Sequence, residues 1–131
     1  MTNTQKRILV VDDDDMLRET HVMVFEDEGY QVDSAINGQE AWDLINKNHY
    51  DLVTTDLFMP IMNGIEFILK CQEDFPSLKI VLVSGGGSDV EAEHGQDFIK
   101  FMGKRVNVDI FLKKPFSLIE MLSIVEKLLQ E

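Results

Sequence analysis

Short, β-branched apolar runs alternate along the chain with longer stretches whose apolar residues recur every three or four positions. The runs are Ile8-Leu9-Val10-Val11, Tyr30 to Ala35, Leu52-Val53-Thr54-Thr55, Lys79 to Val83, and Val108 to Leu112. Three of them are almost continuously apolar, the pattern of parallel strands covered on both faces. The stretches between read as helices. Leu17, Val24 and Phe25 mark one face of the first, which Gly29 ends. Asn37-Gly38 opens the second, with Ala41, Leu44 and Ile45 facing inward. Asn63 caps the third, helped by Glu66, and Phe75-Pro76 closes it. A fourth is predicted from about Ser88 to Arg105 and carries Phe98, Phe101 and Met102. Ser117-Leu118-Ile119-Glu120 is a capping box for the last helix. There Leu118, Met121, Leu122, Val125, Leu128 and Leu129 follow the i, i+3, i+4 rhythm.

Five β/α units in strict alternation predict an α/β fold, a doubly wound five-stranded parallel sheet with helices on both faces. Right-handed crossovers leave few arrangements of such a sheet. Its ligand site lies at the carboxyl ends of the strands, where the winding reverses. The first strand ends in Asp12-Asp13-Asp14-Asp15, the third in Asp56 and the fourth in Ser84, and the fifth runs into Lys113-Lys114-Pro115. The second ends near Ile36-Asn37 with nothing charged, as suits an edge strand beside the first.

Carboxylates gathered in one crevice oppose one another. At ~4–6 Å and an effective dielectric of about 20, each pair repels by a few kcal/mol. A small dication removes the conflict, and all-oxygen ligands favour Mg²⁺, which shares its sphere with phosphate oxygens. Asp13 and Asp56 are the candidate direct ligands, with Asp12 acting directly or through water. Asp56 is then the candidate nucleophile, since carboxylates form acyl phosphates once a metal screens the incoming anion. Phosphoryl transfer needs mainly positioning and charge neutralisation at the equatorial oxygens. Lys114 and Ser84 supply an ammonium and a hydroxyl for that purpose.

Composition narrows the remaining classes. At 131 residues the chain is one domain long, read as 1–131 with a core of about 7–130 and no attached output domain. No apolar run approaches the roughly 20 residues a membrane span needs. The single cysteine, Cys71, excludes an internal disulfide and fits a reducing cytoplasm. Acidic residues outnumber basic ones 24 to 12, a formal charge of −12, which disfavours nucleic acid and anionic membranes as direct partners.

Four motifs taken in order resemble the receiver domains of two-component response regulators. They are Leu9-Val10-Val11-Asp12-Asp13, Asp56-Leu57-Phe58-Met59-Pro60 with Gly64, Val83-Ser84, and Lys114-Pro115-Phe116. The resemblance runs from Ile8 to about Leu129 and implies a flavodoxin-like sheet of strand order 2-1-3-4-5. It implies Asp12 and Asp13 as the acidic pair, Asp56 as phosphoacceptor, and Lys114 as the site lysine. It also implies the main-chain carbonyl of Phe58 as a metal ligand, and Ser84 and Phe111 as switch residues. The implied phosphodonor is a histidine kinase or histidine phosphotransfer protein, and the output passes to a target protein that the sequence does not identify. Apart from catalysing its own phosphorylation and dephosphorylation, such a domain is not an enzyme. The register of the acidic pair can also be read as Asp13-Asp14, and Lys113 competes with Lys114. We take Asp12-Asp13 because they directly follow the apolar strand, and Lys114 because it abuts Pro115. The stretch from Ser84 to Lys114 is longer than in minimal receivers and contains Gly85-Gly86-Gly87, as in a subgroup of stand-alone receivers.

Rival readings rest on parts of the same pattern. A haloacid-dehalogenase-type phosphatase would use Asp12-Asp13-Asp14 as its D-x-D motif, but the chain has no room for a substrate-capping domain. A flavin carrier would need a hydroxyl-rich phosphate loop where this chain has four aspartates. A third rival is a receiver-fold binding module that works without phosphorylation. His21, His49 and His94 show no metal spacing, and Cys71, Trp42 and the methionines read as packing residues.

Overall fold

The computed structural model describes residues 5–56, 64–84, 110–113 and 117–130. The five strands are β1 (Arg7–Val11), β2 (Gln31–Ala35), β3 (Leu52–Asp56), β4 (Lys79–Ser84) and β5 (Ile110–Lys113). Four helices lie within the described residues: α1 (Asp15–Asp27), α2 (Gly38–Lys47), α3 (Gly64–Asp74) and α4 (Leu118–Leu129). The helix predicted over 88–105 and the cap predicted at Asn63 fall outside the described residues.

The strands form one parallel sheet in the order β2-β1-β3-β4-β5. Strands β2, β1, β3 and β4 pair along five or four residues each, and β5 joins β4 from Val81↔Ile110 to Ser84↔Lys113. Because side chains alternate across a strand, each buried strand feeds two cores. On one face Leu9, Val11, Val53, Ile80 and Leu82 meet Ala41 and Ile45 of α2 and Phe67, Ile68 and Cys71 of α3. On the other, Ile8, Val10, Leu52, Val81, Val83 and Leu112 meet Phe25 of α1 and Met121, Val125 and Leu128 of α4. This is why the first, third and fourth runs read as nearly continuous apolar sequence.

Helix boundaries follow local chemistry. Asp14 caps α1 by accepting hydrogen bonds from the N–H groups of Met16 and Leu17. The helix stops at Asp27, and Gly29 turns the chain at φ 96°, a conformation glycine adopts without strain. Asn37 caps α2 by accepting from the Glu40 N–H, and the Glu40 carboxylate reaches back to the Ile36 N–H. Ser117 caps α4 through the Glu120 N–H at 3.0 Å.

Three packing expectations need correction. The buried positions of α1 are His21 and Phe25, with Val22 packed beside them, whereas Val24 sits half-buried on the flank. Leu118 is exposed, because the side chain of a first helical residue leans back beyond the helix start. Tyr30 precedes β2 rather than opening it, and its ring packs edge-on against Phe25.

Candidate functional site

The carboxyl end of β1 is held from several sides. Val11 pairs with Ala35 on β2 and with Thr55 on β3, and the Asp12 N–H extends the ladder by donating to the Ala35 carbonyl at 3.1 Å. Asp12 is buried, and its carboxylate accepts the Asp14 N–H at 2.9 Å. Beyond it the chain turns, leaving Asp13 exposed. Asp14 and Asp15 enter α1, where the amino-terminal end of the helix dipole favours negative charge.

Asp56 is the last residue of β3 and lies opposite Val83, one step past the Val11↔Thr55 pair. That register brings it beside the end of β1. Carboxylate oxygens of Asp12, Asp13 and Asp56 all lie within 4.8 Å of one another. Asp14 is not in this group, and its carboxylate is engaged with the start of α1. The donor set is hard, anionic and all-oxygen, which fits Mg²⁺ and does not suit a thiolate-seeking metal.

Ser84 is the last residue of β4, opposite Lys113, and so follows the Asp56↔Val83 pair by one step. Phe111 lies in β5 opposite Leu82. Lys114, the main-chain carbonyl of Phe58 and the three glycines at 85–87 lie outside the described residues. The carboxyl ends of β1, β3 and β4 thus align in one row that carries Asp12, Asp13, Asp56 and Ser84.

Two features escaped the sequence reading. Arg18 sits one turn into α1 and reaches back to the acidic run: it donates to the Asp12 main-chain carbonyl at 2.9 Å and to the Asp15 carboxylate at 2.6 Å. The i, i+3 spacing of Asp15 and Arg18 was the available signal. The other is a polar cluster on the edge strand. Asp33 of β2 accepts from Arg7 Nη2 at 2.7 Å, Arg7 Nε at 3.2 Å and the Tyr50 hydroxyl at 2.6 Å, and the Arg7 guanidinium lies over the Tyr50 ring. Sequence separations of 26 and 17 hid it.

Of the other residues singled out from the sequence, His94 lies outside the described residues. Burial and the charge of Asp74 push the Cys71 thiol up to about 12, so it stays protonated and unreactive at neutral pH. His21 packs against Phe25, and His49 stands on the surface 3.3 Å from Asp51. A cavity of about 400 Å³ near Tyr50, Phe75, Leu78 and Leu128 opens at the amino-terminal ends of β3 and β4, the end of the sheet away from the acidic group. No helix among the described residues is long and apolar enough to cross a membrane.

Comparison with known proteins shows the family and the fold. The model of the response regulator receiver domain matches residues 8–126. The chain is 35% identical over 125 residues to the response regulator Rre1 of Synechocystis, covering 93% of this chain and 51% of that protein. It is 33% identical over 123 residues to the transcriptional regulatory protein SrrA of Staphylococcus aureus, covering 94% and 47%. The chain therefore spans about half the length of the curated relatives it matches. Among solved structures, a CheY-like receiver domain protein from Methanospirillum hungatei superposes with a TM-score of 0.82 at 28% identity, covering 97% of this chain and 95% of that one. The response regulator TrrA of Thermotoga maritima, solved in complex with Mg²⁺-BeF, gives 0.78 at 31% identity, covering 95% and 99%.

Proposed function

The chain belongs to the response regulator receiver domain family, and on that premise we propose that it accepts a phosphoryl group on Asp56 from a histidine kinase or histidine phosphotransfer protein. The convergence of Asp12, Asp13 and Asp56 at the strand ends carries this reading. A carboxylate oxygen of Asp56 bonds to phosphorus as the donor's P–N bond breaks; the bonding pair leaves with the imidazole nitrogen, which a proton from solvent then neutralises. Asp12, Asp13, Asp56 and the main-chain carbonyl of Phe58 would hold Mg²⁺. When bound, the ion supplies charge neutralisation to the carboxylates and the arriving phosphoryl oxygens. Lys114 and Ser84 take the roles of ammonium and hydroxyl partners to those oxygens. Nothing beyond its own phosphorylation and dephosphorylation is catalysed by the domain.

The output is a change in a protein-binding surface. Ser84 and Phe111 couple the phosphoryl group to the face formed by β5 and α4, and a target protein in the cytoplasm reads that face. NMR shifts that stay confined to the Asp56 pocket after phosphorylation would rule this out. A haloacid-dehalogenase-type phosphatase is not favoured, since its D-x-D motif would need the Asp14 carboxylate for proton transfer and that carboxylate caps α1.

The direct test is intact-mass measurement after incubation with acetyl phosphate and Mg²⁺. We expect a gain of ~80 Da, one phosphoryl group, that depends on Mg²⁺ and is absent in Asp56→Asn. Steady phosphate release without an adduct would point to a phosphatase or to rapid self-hydrolysis. Neither adduct nor release would leave a binding module.

A further inference from the structure

The reach of Arg18 into the acidic run has a role that an ordinary surface ion pair does not. Its partner Asp15 is 80% exposed, and an i, i+3 pair of that kind contributes little by itself. Arg18, however, is only 12% exposed, and its other prong ends on the main-chain carbonyl of Asp12. Asp12 is thus fixed at three places: its N–H on Ala35, its carbonyl on Arg18 and its carboxylate on the Asp14 N–H. The carbonyl of Asp12 belongs to the peptide unit that carries Asp13, so holding it sets the direction in which both carboxylates leave the backbone.

We infer that Arg18 is a positioning residue for the metal-binding edge, a fork that holds the 12–13 peptide in the conformation that points Asp12 and Asp13 toward Asp56. The inference rests on the Mg²⁺ reading proposed above. Charge argues against the simplest alternative. A fixed guanidinium beside a cation site repels the cation, so a residue acting there through charge alone would weaken binding. One acting through geometry strengthens it, because groups that orient metal ligands typically govern affinity by about 10–100-fold. The planar fork suits the task, since a lysine ammonium cannot keep the same two-pronged geometry on a carbonyl and a carboxylate.

The test is calorimetric titration of Mg²⁺ into the full chain, with melting temperature followed in parallel. Wild type, Arg18→Ala, Arg18→Lys and Phe25→Leu are compared; the last loosens α1 through its buried core residue, away from the acidic run. Affinity is expected to fall about tenfold in both Arg18 variants and to hold in Phe25→Leu. Tighter binding in Arg18→Ala with unchanged binding in Arg18→Lys would show that only charge matters and would overturn the inference. Equal weakening in Phe25→Leu at a matched loss of melting temperature would overturn it as well. If Arg18→Ala does not fold, Arg18→Lys decides the matter alone. Wild type that binds no Mg²⁺ would overturn the reading of the acidic group and this inference with it, whereas wild type that binds beside equally tight Arg18 variants would overturn the inference only.

Discussion

On the edge strand β2, one carboxylate oxygen of Asp33 collects three donors, two from Arg7 and one from the Tyr50 hydroxyl. At the carboxyl ends of β1 and β3, by contrast, Asp12, Asp13 and Asp56 bring like charges within 4.8 Å of one another. The residue type is the same and the physics is opposite. Asp33 is answered by cationic and hydroxyl donors of the chain itself, so its charge contributes to folding. The strand-end group concentrates negative charge, an arrangement that gains from a bound cation. Substituting aspartate by asparagine should therefore change stability in opposite directions at the two places.

The largest effect is expected at Asp33. Burial alone would raise its carboxyl, but the hydrogen bonds from Tyr50 and Arg7 outweigh that and hold it below the usual carboxylate value. Asp33→Asn removes the charge and weakens all three bonds. Side chains that are 28% and 35% exposed are partly screened, so the loss is on the order of 1–2 kcal/mol rather than that of a dry ion pair. Urea unfolding at pH 7 measures it; no change would mean that the cluster is decorative. A lowered native value means the stabilisation is complete above the ordinary carboxylate value near pH ~4 and disappears as the pH falls through the native one. The gap between wild type and Asp33→Asn should accordingly close in acid, and a gap that persists well below the native value would contradict the assignment.

Tyr50→Phe sharpens the same side of the comparison with a smaller effect of about 1 kcal/mol, since Arg7 remains on Asp33. Burial raises the Tyr50 hydroxyl well above its ordinary value, and the Asp33 carboxylate adds to the shift. A raised native value gives stability that is complete below pH ~10 and declines as the pH climbs beyond it. Alkaline melting curves should show that decline in wild type, and a phenylalanine variant with the same alkaline slope would discredit it.

The smallest effect probes the opposite side. Without Mg²⁺, Asp13→Asn should raise the melting temperature by on the order of 1–3 °C, because one exposed like charge leaves the group. With millimolar Mg²⁺ the order should invert, as only the wild type gains from the ion. A variant that melts lower than wild type in chelator would show that the strand-end carboxylates do not strain the fold.

How far the sequence disclosed all this depended on how local each interaction is. Ile8 to Val11 and Leu52 to Thr55 announce doubly covered strands by their own composition, and the residues that follow them are the acidic group. Asp14 and Ser117 cap helices through N–H groups two or three residues away, well within sequence reach. The cluster of Arg7, Asp33 and Tyr50 is assembled by sheet register and a turn, so no short window contains it. His21 reads as an ordinary helical polar residue, and only the packing of α1 makes it part of the interior. Leu118 misled for the reverse reason: it keeps the helical rhythm but is exposed in the first turn of the helix.

The placement of the acidic group on the two most enclosed strands has a consequence for how the site fails. Ile8 to Val11 and Leu52 to Thr55 are at most 2% exposed and are paired on both edges. Their amides should exchange with solvent deuterium only when the entire domain opens, while those of the peripheral helix ends exchange through local fraying. The backbone that carries Asp56 and leads into Asp12 should therefore hold its register until the domain unfolds as a unit.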